Sequence, residues 1–165
     1  MPPSHVRDAT SGDIPSMAAI YDEQVLTAIT TFDTEPRGAS VLTRLVEGAA
    51  RPVLVVEDEG RVLGYAYAGP FRPRPAYSAT REVSIYLDAA ARGRGIGRGL
   101  YSALLARLDS DPDVHTLLAV VALPNDASER LHRGLGFERA ALLREVGHKF
   151  GRWIDVAIYQ RPSPA

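Results

Sequence analysis

The run Arg92-Gly93-Arg94-Gly95-Ile96-Gly97, continued by Arg98-Gly99, contains the residues of this 165-residue chain whose types and spacing most directly suggest chemistry. Glycines let a main chain approach an anion closely. A helix N-terminus adds unpartnered N–H groups and roughly half a positive charge. Where a strand leads in and a helix leads out, a diphosphate is the natural occupant. Spacing then separates the possible ligands. A P-loop needs Lys and Ser/Thr directly after its last glycine, but Arg98-Gly99 follows Gly97. A dinucleotide fingerprint needs glycine at its first, third and sixth positions. Counting from Gly93 places Arg98 sixth, and counting from Gly95 places Leu100 there. A plain flexible turn with no ligand remains the alternative.

The elements that would position this run are legible in the flanking pattern. Glu82 to Leu87 alternates as a strand, while Leu100, Leu104, Leu105 and Leu108 form the apolar face of a helix closing near Asp109 to Pro112. The unit is therefore strand, glycine turn, helix. Upstream, Thr10-Ser11-Gly12-Asp13 offers capping side chains and Pro15 suits a first helical turn. Met17, Ile20, Tyr21 and Val25 keep helical spacing, extended to Ile29. After a break at Thr31 to Pro36, a second helix is expected from about Ser40 to Ala49. Val53 to Glu57 and Val62 to Gly69 form a hairpin about Asp58-Glu59-Gly60-Arg61. Pro70, Pro73 and Pro75 then force a surface loop. Thr116 to Val121 is a nearly continuous apolar strand, expected to be buried on both faces. Pro124-Asn125-Asp126 caps a short helix to about Gly134. Phe137 to Val146 and Trp153 to Gln160 close the chain as two strands, joined by a turn around Lys149 to Gly151.

Composition narrows the function classes. With 45% hydrophobic and 24% charged residues this is an ordinary globular composition, and the length suits one domain over residues 1–165. A net charge of −1 argues against nucleic acid as the main partner. The absence of cysteine removes thiol nucleophiles, disulfides and Cys-based zinc sites. His5, His115, His132 and His148 show no close ligand spacing, so no metal is expected. No Gly-x-Ser-x-Gly elbow occurs. Neither Met1 to Asp8 nor any other stretch is an apolar span, and the expected setting is cytoplasmic, away from a membrane.

Arg92-x-x-Gly95-x-Gly97 between a strand and a helix resembles the acyl-CoA loop of the GNAT acetyltransferase superfamily. Asn125, Ser128 and Gly136-Phe137 follow in the order of that superfamily's Asn-x-x-Ser and Gly-Phe pattern. Within it, Gly69-Pro70-Phe71-Arg72 through Tyr77, Thr80, Glu82 and Tyr86 is similar to the phosphinothricin and methionine sulfoximine N-acetyltransferases. So are Leu123-Pro124-Asn125-Asp126 and the segment Gly147 to Asp155. Ser78 and Arg81 depart from that subfamily's common residues, and Phe150 and Ile154 stand where some members carry histidine.

The resemblance implies an α/β fold: a mixed, twisted sheet of about seven strands with helices on both faces, and acetyl-CoA entering where two parallel strands splay. It implies a cofactor site of Ile85, Tyr86, Leu87, Arg92, Gly93, Arg94, Gly95, Ile96, Gly97, Arg98, Gly99, Asn125, Ser128 and His132. The Leu87 N–H would meet the developing oxyanion. His132 would protonate the leaving thiolate or simply pack near the cofactor, with Tyr101 the weaker alternative. Phe32, Tyr77, Thr80, Lys149 and Trp153 would line the acceptor site. A homodimer is implied with them.

Elementary acid–base chemistry supports one further assignment. An α-amine titrating near ~8 needs only about 1.4 kcal/mol to be freed at pH 7, against about 4.6 for a lysine near ~10.4. One carboxylate suffices for the first, and Glu82 at the start of its strand is the candidate. Arg72 and Arg74 flank a proline-stiffened loop and suit bidentate binding of a carboxylate or phosphinate, or are ordinary surface charge. The expected reaction is direct acetyl transfer to the α-amine of a small amino acid. Transfer to another amine or a protein N-terminus, or an acyl-CoA sensor without turnover, are the alternatives.

Overall fold

Val53-Leu54-Val55-Val56 is continuously apolar, and in a strand alternate side chains point to opposite faces. Val53 and Val55 join one hydrophobic cluster, and Leu54 and Val56 join another on the other side of the sheet. Each such side chain contributes roughly 1.5–3 kcal/mol when fully buried. This strand consequently fixes which face each flanking element must cover. The computed structural model describes residues 4–48 and 52–164. The elements run β1 (His5–Asp8), α1 (Ile14–Thr27), α2 (Gly38–Glu47), β2 (Val53–Asp58), β3 (Arg61–Pro70), β4 (Thr80–Leu87), α3 (Ile96–Asp109), β5 (Thr116–Ala122), α4 (Asp126–Gly134), β6 (Glu138–Lys149) and β7 (Arg152–Pro162).

The strands form one sheet in the order β1-β2-β3-β4-β5-β7-β6. Only β4 and β5 run parallel; the other neighbours are antiparallel. Met17, Ile20, Tyr21 and Val25 of α1, with Leu42 and Val46 of α2, cover the Val53/Val55 face. Leu100, Leu104, Leu105 and Leu108 of α3 cover the opposite face, where Leu131 of α4 also packs. The mixed sheet with helices on both faces is thus as expected. Among the described residues no helix is long and apolar enough to cross a membrane.

Several boundaries differ from the sequence expectation for physical reasons. Helix α2 starts at Gly38, whose N–H donates to Asp22 Oδ1 at 2.8 Å; a Cβ there would lie 2.7 Å from the Ala18 carbonyl oxygen. The close crossing with α1 therefore sets the start, and the expected end at Ala49 falls outside the described residues. β6 reaches Lys149 instead of Val146 because two register shifts, at Arg139/Ala141 and Leu143/Gly147, break its alternation. Glu145 sits in the second with φ 52°, its N–H bonded to Asp155 Oδ1 at 2.8 Å. β5 was expected to be buried on both faces, yet Val120 is 47% exposed. The reason lies in the sheet, which opens beside it.

The N-terminal strand is tied to α1 by Arg7, which bonds Asp13 at 2.8 Å and Glu57 at 2.6 Å. The Arg7 hydrogen bonds hold the Asp13 carboxyl at about 2, below the ordinary carboxylate range. Because that folded value is depressed, the stabilisation is present above the unfolded value near ~4 and is lost as pH falls toward 2. Asp13→Asn should cost about 2 kcal/mol at pH 7 and little near pH 2, as read by urea unfolding at the two pH values.

Candidate active site

The parallel ladder between β4 and β5 is short. Thr80 pairs with Thr116, Arg81 with Leu117 and Glu82 with Leu118, and there the pairing ends. Beyond Glu82 the strands diverge and leave a cleft of about 510 Å³ between Val83–Leu87 and Ala119–Ala122. The glycine turn, the first turns of α4 and the end of α1 complete its walls. Of the expected cofactor residues, the cleft gathers Ile85, Tyr86, Leu87, Arg92, Gly93, Gly95, Gly97, Arg98, Asn125, Ser128 and His132.

Gly93 and Gly95 have φ of 73° and 77°, a left-handed conformation that glycine adopts without steric penalty, and space is open where a Cβ would stand. Gly95 caps α3, and the first bond of that helix runs from Gly99 N–H to Gly95 O at 3.2 Å. The N–H groups of Ile96, Gly97 and Arg98 are consequently left without helical acceptors. An anion placed against the turn would meet them. Of the other three expected members, Ile96 offers only its amide, since its side chain is in the core, while Arg94 reaches Asp58 at 3.3 Å and the Gly99 N–H is engaged within the helix. Arg98 donates to Gly134 O at 3.0 Å, joining α3 to α4 across one end of the cleft.

Backbone alternation decides what β4 presents to the gap. Asp88 N–H donates to Leu63 O at 2.9 Å, and Leu87 stands opposite Gly64 in the β3–β4 register. In an antiparallel ladder bonded and non-bonded pairs alternate. The main-chain groups of Leu87 and Ile85 therefore point away from β3, toward the side where β5 has departed. The Leu87 carbonyl accepts a bond from Gln24 Nε2 at 3.4 Å.

Glu82 closes the paired segment, and its side chain shares a sheet face with Ser84 and Tyr86. Burial raises the Glu82 carboxyl above its ordinary range. Beside it runs an aromatic row in which Tyr86 stacks on Tyr65 at 5.2 Å and meets Tyr21 edge-on at 5.5 Å. Tyr21 donates to Asp33 at 2.6 Å, and burial pushes its phenol up to about 12.

His132 is 3% exposed and engaged at both ring nitrogens. Nδ1 lies 2.7 Å from the Ser128 carbonyl oxygen, an acceptor that assigns the ring proton there. Nε2 lies 3.1 Å from the Tyr101 hydroxyl, which then donates to it. Burial lowers the imidazole's affinity for a second proton. An acid role expected for His132 thus meets a neutral ring whose single proton is already held, and Tyr101 is fully buried. Asn125 Oδ1 accepts from Ser128 N–H at 3.1 Å, capping α4.

The expected acceptor residues separate into two groups. Thr80 lies on the Glu82 face of β4, and the nearby loop carries Arg72 over the rings of Phe71 at 5.0 Å and Tyr77 at 5.9 Å. Arg74 is exposed on the same loop. Phe32 packs so closely on Gly147 that a Cβ there would come within 3 Å of its ring. Lys149 was expected to line the acceptor pocket, but it is 4% exposed and its ammonium donates to Ala28 O and Thr31 O, both at 2.8 Å. It fastens the segment after α1 to the β6–β7 hairpin, because a buried ammonium needs acceptors and the end of α1 supplies them. Trp153 is 64% exposed and lies against the His148 ring, 4.7 Å away and tilted by 52°. Sequence reading missed Gln24 and Thr30 in the cleft, where Thr30 Oγ1 donates to Gln24 Oε1 at 2.7 Å. A glutamine on the apolar stripe of α1 was the available signal.

The model of the family described as "Acetyltransferase (GNAT) domain" matches residues 6–158. The chain belongs to the GNAT acetyltransferase family. It is 42% identical to a phosphinothricin N-acetyltransferase of Alcaligenes faecalis, over 97% of this chain and 83% of that protein. To an L-methionine sulfoximine/L-methionine sulfone acetyltransferase of Pseudomonas aeruginosa it is 40% identical, over 94% and 92%. Among solved structures, a GNAT superfamily phosphinothricin acetyltransferase of Sinorhizobium meliloti in complex with AcCoA superposes with a TM-score of 0.90. That GNAT protein is 39% identical, with 97% of this chain and 88% of that one covered.

Lys149→Met should leave two carbonyls of this GNAT chain without their donor, lowering stability by on the order of 2 kcal/mol in denaturant unfolding. A variant as stable as the parent would contradict the fastening role.

Proposed function

We propose that this chain transfers the acetyl group of acetyl-CoA directly to the α-amine of a small amino acid or analogue of the phosphinothricin, methionine sulfoximine or methionine sulfone class. The observation that carries the reading is the opening of β4 from β5, with unpartnered amides of the glycine turn at the head of α3 on one wall. The open space at Gly93 and Gly95 suits close passage of a diphosphate. The names of the relatives support the acceptor class.

Each residue then has a defined task. The turn amides hold the diphosphate, while β4 and β5 receive the pantetheine arm in place of ladder partners. Leu87 N–H faces the gap and donates to the carbonyl oxygen as negative charge develops there. Glu82, ionised, takes one proton from the acceptor ammonium, directly or through a water, and frees the amine to attack. The C–N bond forms as the C–S bond breaks, and the second proton shed by nitrogen reaches the thiolate through cleft water. His132, neutral and held at both nitrogens, serves as a wall of the cleft. Arg74 and Arg72 attract the acidic group of the acceptor. The exposed Val146, Phe150 and Trp153 support a homodimer contact on the β6–β7 hairpin.

An acceptor panel that includes phosphinothricin and methionine sulfoximine, followed by thiol release, tests the activity. Stabilisation by CoA without thiol release from any amine would replace the transferase reading with a sensor. Glu82→Gln should reduce kcat on the order of 10²–10⁴-fold. It should also remove the rise of kcat/KM with pH that ionisation of a carboxyl raised by burial imposes; an unchanged profile would exclude Glu82 as base. Arg74→Ala should raise the acceptor KM roughly tenfold and leave that of acetyl-CoA unchanged, with the opposite split removing the assignment.

A further inference from the structure

Two glycines interrupt β3, and the surrounding protein explains only one of them. A Cβ on Gly64 would stand 2.6 Å from Leu87 Cδ2 and 2.9 Å from the Tyr86 carbonyl oxygen, so close packing excludes a side chain there. Gly69 meets no such limit. Its φ is not left-handed, and a Cβ built on it would find no atom beyond its chain neighbours within 4 Å. Glycine inside a strand is also unfavourable, since it loses more backbone freedom on folding than any other residue and has no side chain to pack. Neither backbone conformation nor internal packing accounts for the residue. The fold alone would favour a side chain at this position.

The surroundings of that open position give it a use. Gly69 is paired with Glu82 in the β3–β4 register, and directly opposed residues project from the same face with Cβ atoms about 5 Å apart. Tyr67 and Ser84 form the next pair on that face. β3 ends at Pro70, and Arg72 and Arg74 follow in the loop. Gly69 therefore lies beside the carboxylate and three residues before the first guanidinium. The nitrogen of an α-amino acid sits on a branched carbon that also bears a carboxylate and a side chain. When that nitrogen reaches Glu82, those groups need room next to it, and the open position at Gly69 provides it without displacing any protein atom.

We infer that Gly69 is a specificity-determining residue whose missing side chain leaves a berth beside Glu82 for the branched carbon of the acceptor; this rests on the tasks given to Glu82, Arg72 and Arg74 under Proposed function. A methyl group added at 69 disturbs no contact within the fold and takes space from the acceptor. Stability and acceptor affinity should consequently move in opposite directions.

Gly69→Ala and Gly69→Val test this with the best α-amino-acid acceptor of a panel that includes phosphinothricin and methionine sulfoximine. Both variants should keep the parent Tm or raise it by up to about 4 °C. The acceptor KM should rise about threefold with alanine and at least about tenfold with valine, while the KM of acetyl-CoA stays within about twofold. An acceptor KM unchanged by valine would overturn the inference and leave the transferase reading intact. An equal rise in the KM of acetyl-CoA, or a loss confined to kcat, would do the same. A fall in Tm of more than about 4 °C in both variants, or insolubility of both, would show that the fold itself requires glycine at 69 and would also overturn it. If the parent acetylates no α-amine, the transferase reading fails and the berth fails with it, whatever the melting temperatures.

Discussion

The parallel ladder between β4 and β5 ends after Glu82–Leu118, and the rest of the site follows from that ending. Two strands that stop exchanging hydrogen bonds leave main-chain donors and acceptors in the interior of a sheet, a costly arrangement unless something else meets them. Here the far sides of both strands stay bonded: β4 to β3 as far as Asp88 N–H to Leu63 O, and β5 to β7 through Ala122–Val156. The opening is therefore a rigid feature between two intact ladders. An extended amide-bearing chain such as pantetheine offers the missing partners, which is why a fold with this gap suits acyl-CoA.

The surroundings convert that gap into a site with direction. At one end the glycine turn offers cationic helix-end character. Glu82, at the last paired residue, marks the point where the proposed chemistry would occur. The row of Tyr21, Tyr65 and Tyr86 makes the environment beside it apolar, and burial alone raises the Glu82 carboxyl. For the proposed transfer to an α-amine, a base whose proton affinity is raised would be better matched than an exposed carboxylate. The residues expected to work as acid show the converse. His132 and Tyr101 satisfy each other, so a polar pair inside the core contributes order and holds α4 against α3.

Most of the fold was legible in the sequence because its elements are locally consistent: β2 is continuously apolar, α3 carries a leucine face, and Pro73 and Pro75 keep the β3–β4 loop out of the sheet. Pro70, expected in that loop, instead ends β3 opposite Arg81 at a position that needs no N–H. The turn at Arg92 to Gly97 was legible for the same reason, since its glycines sit between a strand and a helix. What escaped reading depends on distant parts of the chain. Lys149 is an unremarkable charge in sequence, and its acceptors lie at Ala28 and Thr31. The extra length of β6 is hidden by bulges whose support comes from Asp155. Val120 follows an apolar pattern that suggests full burial, and it is the neighbouring strand's departure that exposes it. In each case the deciding partner is set by tertiary structure, which no window of local sequence contains.

The strand order carries a consequence for biosynthesis. β5 lies between β4 and β7, and after its three rungs with β4 nearly all its hydrogen bonds come from β7, which is translated only after β5, α4 and β6. While the ribosome still holds residues beyond about 150, an apolar edge with the sequence Leu117 to Ala122 waits without cover. Exposed edges of that kind recruit other strands. The nascent chain therefore passes through a stage at which chaperone shielding matters most, and it ends when β7 slots into place.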